Sequence, residues 1–224
     1  MLPQLLATLL LMRRRGLEFM ASAQTAPSAS AGSVVKPTGV AVDELAFVWA
    51  QDCDAATVLS TSGGDAWSGQ DVFAATTNNR YAKLFWKTLN TTDVENDWLL
   101  DRPARDGVRS LRYQVSGPCA VSVRATAVPL GGETSMILAG FSRSPGHYGA
   151  LAFVGVAGST GAAGIVIPAG FTERRRDIGS GIEETYASIV CDTLGSYVDG
   201  AAVSFTNCNA SAAECGILVE VTGT

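Results

Sequence analysis

The chain has 224 residues, of which 47% are hydrophobic and 17% charged, and its net charge is −5. That balance describes a packed globular protein and excludes a disordered one. A net negative chain with one histidine and no Cys-x-x-Cys spacing carries neither a nucleic-acid groove nor a zinc site, so no nucleic acid, metal or cofactor is expected.

Leu2 to Met12 is apolar but too short to cross a bilayer, and no membrane partner is expected. Arg13-Arg14-Arg15 follow this run, whereas a signal peptide places its positive residues before the apolar core. Ala21-Ser22-Ala23 imitates a cleavage site, which keeps secretion as the alternative. The preferred account makes Met20 the true start and residues 1–19 a mis-read upstream stretch. Residues 20–33 are small and polar, a flexible lead-in. Residues 1–33 are thus expected to lie outside the fold.

From Val34 the chain alternates short β-prone runs with turn residues. Strands are expected near 44–50, 57–60, 81–88, 108–115, 119–127, 134–140, 149–156, 163–167, 185–191, 201–206 and 214–221. The runs VRSLRYQV and CAVSVRATAV alternate apolar and polar residues, as strands with one wet face do. Ser116-Gly117-Pro118, Pro129 to Gly132 and Asp199-Gly200 read as turns. Thr91 to Glu95 is expected to make one helical turn capped by Thr or Asp. Many short strands with frequent turns predict an all-β, antiparallel sandwich or jelly-roll-like body.

Two segments repeat at a shift of about 105 residues. Leu45-Ala46-Phe47-Val48 matches Leu151-Ala152-Phe153-Val154, and Trp67 stands where Phe171 stands. Tyr81-Ala82 matches Tyr186-Ala187, with Thr88-Leu89 against Thr193-Leu194. Leu111, Tyr113, Val115 and Gly117 match Ile217, Val219, Val221 and Gly223. The expected architecture is one domain over 34–224 built from two related halves, about 34–117 and 118–224, whose greasy faces cover each other.

The chemical motifs are weak. Gly158 to Gly164 resembles a nucleotide-binding glycine loop, but a strand and a proline turn follow it instead of a helix. Ser144 lies near His147 without a nucleophile elbow, which reads as a turn. Asp52 and Asp54 flank Cys53, and Glu183-Glu184 precede Tyr186; solvated loop acids are the reading, against a glycosidase pair or a Ca²⁺ loop. No catalytic residues are assigned. The five cysteines read as buried free thiols, with Cys208 and Cys215 as an alternative hairpin disulfide. Arg174-Arg175-Arg176 beside Asp177 forms a compact positive cluster that binds an anion or makes salt bridges.

Taken in order, Val42 to Val48, Pro168-Ala169-Gly170-Phe171-Thr172 and Val203-Ser204-Phe205-Thr206 resemble the β-sandwich modules of tailed-bacteriophage structural proteins. The resemblance spans most of residues 38–224; Phe171 replaces the usual Trp, and the first copy lacks the proline turn. It implies a non-enzymatic virion component of tail, fibre or head surface, assembled in the bacterial host cytoplasm. Its implied partners are copies of itself, other virion proteins and a host surface glycan. The expected contact surface comprises Trp67, Tyr148, Phe171, Arg174, Arg175 and Arg176. The alternative is a secreted carbohydrate-binding module using Trp49, Trp67, Trp86 and Trp98 as exposed rings. A glycan-cleaving enzyme, which needs two carboxylates across one cleft, is a third reading.

Overall fold

The computed structural model describes residues 16–54, 56–74, 80–128, 134–157, 164–181, 185–208 and 213–224. The Gly158 loop up to residue 163, the Pro129–Gly132 turn, Glu183-Glu184 and residues 1–15 lie outside them. The first repeat contains β1 (Leu17–Thr25), β2 (Gly32–Val34), β3 (Leu45–Cys53), β4 (Leu59–Thr61), β5 (Ser68–Ala74) and β6 (Arg80–Thr88). A single helical turn, α1 (Thr91–Glu95), then leads to β7 (Trp98–Leu100) and β8 (Val108–Val115). The second contains β9 (Cys119–Ala127), β10 (Ser135–Leu138), β11 (His147–Ala157), β12 (Thr172–Ser180), β13 (Thr185–Leu194), β14 (Val203–Thr206) and β15 (Ala213–Gly223).

The repeat read from sequence reappears as topology. One five-stranded sheet runs β1-β8-β3-β6-β5 and the other β9-β15-β11-β13-β12, the same order counted from each repeat's first strand. Each repeat adds a smaller sheet, β2-β7-β4 in the first and β10-β14 in the second, where a bridge from Val166 to Thr206 stands in for the third strand. All pairings between strands are antiparallel. First, eighth, third and sixth strands in one sheet, with second, seventh and fourth in the other, is jelly-roll order. The fold is therefore an all-β assembly of antiparallel sheets in two related halves.

The large sheets face each other, β1 over β12 and β5 over β9. The inner core between them holds Leu45, Phe47, Trp49, Leu84, Leu111, Tyr113, Leu151, Phe153, Ile217 and Val219. Phe47 and Phe153, equivalent residues of the two repeats, touch at 5.6 Å between ring centroids, which marks a pseudo-two-fold axis. Each large sheet also packs its other face against its own small sheet. One outer core holds Val48, Phe85, Trp67 and Trp98, the other Val154, Ile189, Met136 and Phe205. Four layers result, because β3 and β11 are apolar on both faces and need a cover on each.

Three expectations are corrected. Residues 17–33 belong to the fold: β1 pairs with β8 along its length, Leu17 is buried, and Met20 sits at a bulge in mid-strand. The small polar residues suit an outer strand that is half wet. Each half is more than one sheet, since the short strands β2, β4, β7, β10 and β14 form separate covers. The matched tyrosines are not equivalent in space: with Trp49 opposite Leu84 and Gly155 opposite Ser188, Tyr186 corresponds to Ala82 and not to Tyr81. A one-residue slip exchanges the faces of a strand.

The turn at α1 forms as expected with a different cap. The Asn90 side chain accepts from the Asp93 N–H, and the Asp93 carboxylate accepts from the Asn90 N–H. Cys53, Cys191, Cys208 and Cys215 are buried and Cys119 is half-buried, and none of the five is in a disulfide. Cys208 and Cys215 do not pair, since the first lies in an outer core and the second in the inner one.

Candidate functional site

The three arginines of β12 do not form an open positive patch. Arg174 donates to Asp192 (2.8 Å) and lies over the Phe19 ring, while Arg175 pairs with Asp177 and reaches Gln24 of β1 (3.1 Å). Arg176 pairs with Glu173 and donates to the Ile165 carbonyl. A charge satisfied within its own molecule offers little to an anion.

Two of these pairs open onto a polar seam between the large sheets. Arg109, with no exposed side chain, donates to Asp177 (3.3 Å), to Gln51 (3.1 Å) and to the Asp106 carbonyl (2.7 Å), and its guanidinium lies over the Tyr186 ring. Gln51 donates onward to the Ala187 carbonyl, and Gln24 to the Tyr186 hydroxyl. The Tyr113 hydroxyl donates to Asp192 at 2.9 Å. Burial pushes the Asp192 carboxyl up despite Arg174 and Tyr113, and pulls the Arg109 guanidinium down against the pull of Tyr186 and Asp177. Gly155 belongs to this seam, because a Cβ there would collide with the Gln51 amide. The seam ties one repeat to the other, and Arg109, Tyr113, Asp177, Tyr186 and Asp192 within it are buried.

Ser144 and His147 do converge, on a residue that motif reading missed. Glu220 of β15 accepts from the Ser144 N–H (2.9 Å), stands 2.7 Å from His147 Nδ1, and is clamped by Arg124, which also donates to the Ser144 hydroxyl. Burial opposes Glu220 ionisation, but Arg124, Ser144 and His147 prevail and hold its carboxyl low. A catalytic serine needs its hydroxyl on the base. Here Ser144 Oγ is held by Arg124, and among the described residues His147 Nε2 is buried without a partner. The cluster fastens the 141–147 segment to β15. The one sign of Glu220 in the sequence was a lone acid within the apolar run ILVEV.

The first repeat has a comparable anchor. Asp93 is fully buried and accepts from Lys87 (2.8 Å) and Thr61 (2.7 Å). Burial raises its carboxyl, but the Asn90 N–H, Lys87 and Thr61 outweigh that and hold it below the usual range. Asp54 pairs with Arg102 at the surface, and among the described residues no group of three or more His, Cys, Asp or Glu could hold a metal ion.

The aromatic candidates divide. Trp67 is a core residue: its indole N–H donates to Thr61 Oγ1 (3.2 Å) and its ring meets Trp98 edge-on at 4.9 Å. It lies inward because it fills the first repeat's outer core. Trp49 and Trp98 are fully buried, and Trp86 packs against the inner core, so no tryptophan forms an exposed platform. Tyr148 is half-buried against the inner core. Phe171 opens onto a surface hollow of about 80 Å³ between the Pro168–Phe171 turn and residues 193–203.

Among the described residues no helix is long and apolar enough to cross a membrane. No protein-family model matches the chain, and no curated protein matches it significantly.

Proposed function

We propose that the chain is a non-catalytic structural protein of a bacteriophage particle, a tail, fibre or head-surface component that assembles with copies of itself and with other particle proteins. One observation carries this reading: two jelly-roll units stand in tandem, and the buried charges between them serve to join the units. Jelly rolls recur in viral shells and in lectins, so the step from fold to role is an analogy of architecture. The motif order from Val42 to Thr206 supports the phage side of that analogy. Contact with a host surface glycan rests on the same motifs.

Sedimentation velocity of the full chain from 1 to 100 µM, with electron microscopy of the same samples, tests the reading. Discrete oligomers, or decoration of tailed-phage particles lacking this chain, are the expected result. A compact monomer throughout that also fails to decorate such particles would overturn it. The carbohydrate-binding alternative predicts saturable glycan-array binding by that monomer.

A further inference from the structure

A sheet edge is a row of unpaired N–H and C=O groups, and natural chains blunt it with bulges, charges or brevity. Each large sheet has two edges, β1 and β5 in one, β9 and β12 in the other. Three of these four are broken by a bulge: Met20 interrupts β1, Arg124 interrupts β9 and Arg174 interrupts β12. A bulge leaves one residue out of the ladder and bends the strand, so a further strand fits poorly along it. The small sheets are guarded by brevity, since β2, β4, β10 and β14 have only three or four residues each.

β5 is the exception. Its seven residues, SGQDVFA, pair with β6 from Ser68 opposite Trp86 to Ala74 opposite Arg80 without a register shift. The strand has no proline, lysine or arginine, and its one charge, Asp71, is matched within the molecule by Lys83 at 2.9 Å. Among the described residues no strand lies on its other side. Its sister β12 holds the same place in the second sheet and carries three arginines as well as its bulge. One repeat thus guards this edge and the other leaves it bare. Along β5, Val72 faces the inner core and Gln70 shares its face, while Gly69 and Asp71 lie on the opposite one.

We infer that the bare edge of β5 is a docking surface for a second copy of this chain, joined β5 to β5 in antiparallel register about a two-fold axis at Gln70. The inference rests on the self-association put forward above and gives it a surface. The molecule itself selects the occupant. Its other large-sheet edges are bulged, so the unbroken edge that a copy can offer β5 is its own β5. An edge that pairs with itself is used up once two copies have met, which gives a closed dimer instead of an open filament. The register follows from charge. A two-fold axis normal to the sheet keeps each face on its own side and must pass through a residue. At Asp71, the midpoint of the strand, it would set two carboxylates opposite each other, which destabilises a strand pair. One residue earlier, at Gln70, it sets two neutral amides opposite each other, with Gly69 across from Asp71 and Ser68 across from Val72. A contact made by one short strand is small, so a micromolar dimer is expected.

The test is sedimentation velocity of the full chain from micromolar to near-millimolar concentration, with hydrogen exchange of the 68–72 amides at both ends of that range. A monomer–dimer equilibrium is expected, and those amides should exchange more slowly where the dimer prevails. Gln70→Lys and Gln70→Glu each place like charges across the axis and should each weaken the dimer about tenfold or more. Their equimolar mixture, with opposite charges at that point, should restore it. Both variants are expected to keep the wild-type urea midpoint, because Gln70 is a half-buried edge residue outside the cores. No dimer at any concentration, a dimer indifferent to both charges, or a mixture as weak as the single variants would overturn the inference. Larger oligomers indifferent to Gln70, or decoration of particles by a chain that never dimerises, would overturn this surface and leave the particle reading standing.

Discussion

The two flanks of the inner interface occupy equivalent places about the pseudo-two-fold axis, yet they are built from opposite chemistry. Where β8 meets β12 and β13, the facing residues are Arg109, Tyr113, Asp177, Tyr186 and Asp192, bonded across the seam. Where β15 meets β5 and β6, the equivalents of Arg109 and Tyr113 are Cys215 and Val219, packed among Val72, Ala82 and Leu84. The apolar flank stabilises by burial, which is indifferent to small rotations of one sheet on the other. Hydrogen bonds between buried ions have narrow geometry, so the polar flank fixes the angle and register of the two sheets. A duplicated fold that kept both flanks apolar would bury as much surface but would not specify its own alignment.

Mutations can separate these roles. Arg109→Ala opens a hole and takes a donor from the Gln51 amide oxygen and from the Asp106 carbonyl, while Asp177 keeps Arg175, and it should cost about 3–5 kcal/mol in chemical denaturation. The double replacement Arg109→Leu with Asp177→Leu should recover most of that loss. A double variant as unstable as the single one would show the seam to be a source of stability instead of alignment. On the other flank Val219→Ala should cost about 2 kcal/mol, from lost burial and a small cavity. Tyr113→Phe removes one hydrogen bond from an Asp192 that keeps Arg174, and about 1 kcal/mol is expected.

The smallest effect is one of pH and has opposite signs in different places. Asp93 is held below its ordinary value, so its stabilisation is complete above the unfolded-state pKa and is lost as pH falls through the lower folded one. Asp192 is pushed up, so its ionised form opposes folding at neutral pH and that penalty fades as pH falls through the raised value. Urea titrations from pH 3 to 7 should show wild type gaining on Asp93→Asn as pH rises from its lower limit. As pH rises above the unfolded-state carboxylate pKa, wild type should lose ground to Asp192→Asn until the raised folded value is passed.

Strands with an apolar face toward either core were legible in the sequence, as in Leu45 to Cys53 and Val108 to Val115. β5 and β12 were not: SGQDVFA and TERRRDIGS lie at sheet edges, where charge is what an exposed strand carries. β1 was missed because a bulge at Met20 and small residues hide its alternation. At the seam, Arg109 and Asp192 were visible only as lone charges within apolar runs. Nothing local tells whether such a charge faces solvent or a partner 68 residues further along, as Arg109 does. Trp67, judged by type, was placed at the surface, whereas it fills the first repeat's outer core.

The joint between the repeats has a consequence for rearranging the chain. Gly16 exchanges hydrogen bonds with Ser116, and Thr224 donates its N–H to the Pro118 carbonyl, so three points distant in sequence lie at one pole of the molecule. A chain opened at Gly117, with Thr224 spliced to Gly16 through a short glycine bridge, would keep every strand in its present sheet. Cargo or a fluorophore fused to the last residue would emerge beside the first strand, leaving the opposite pole unobstructed.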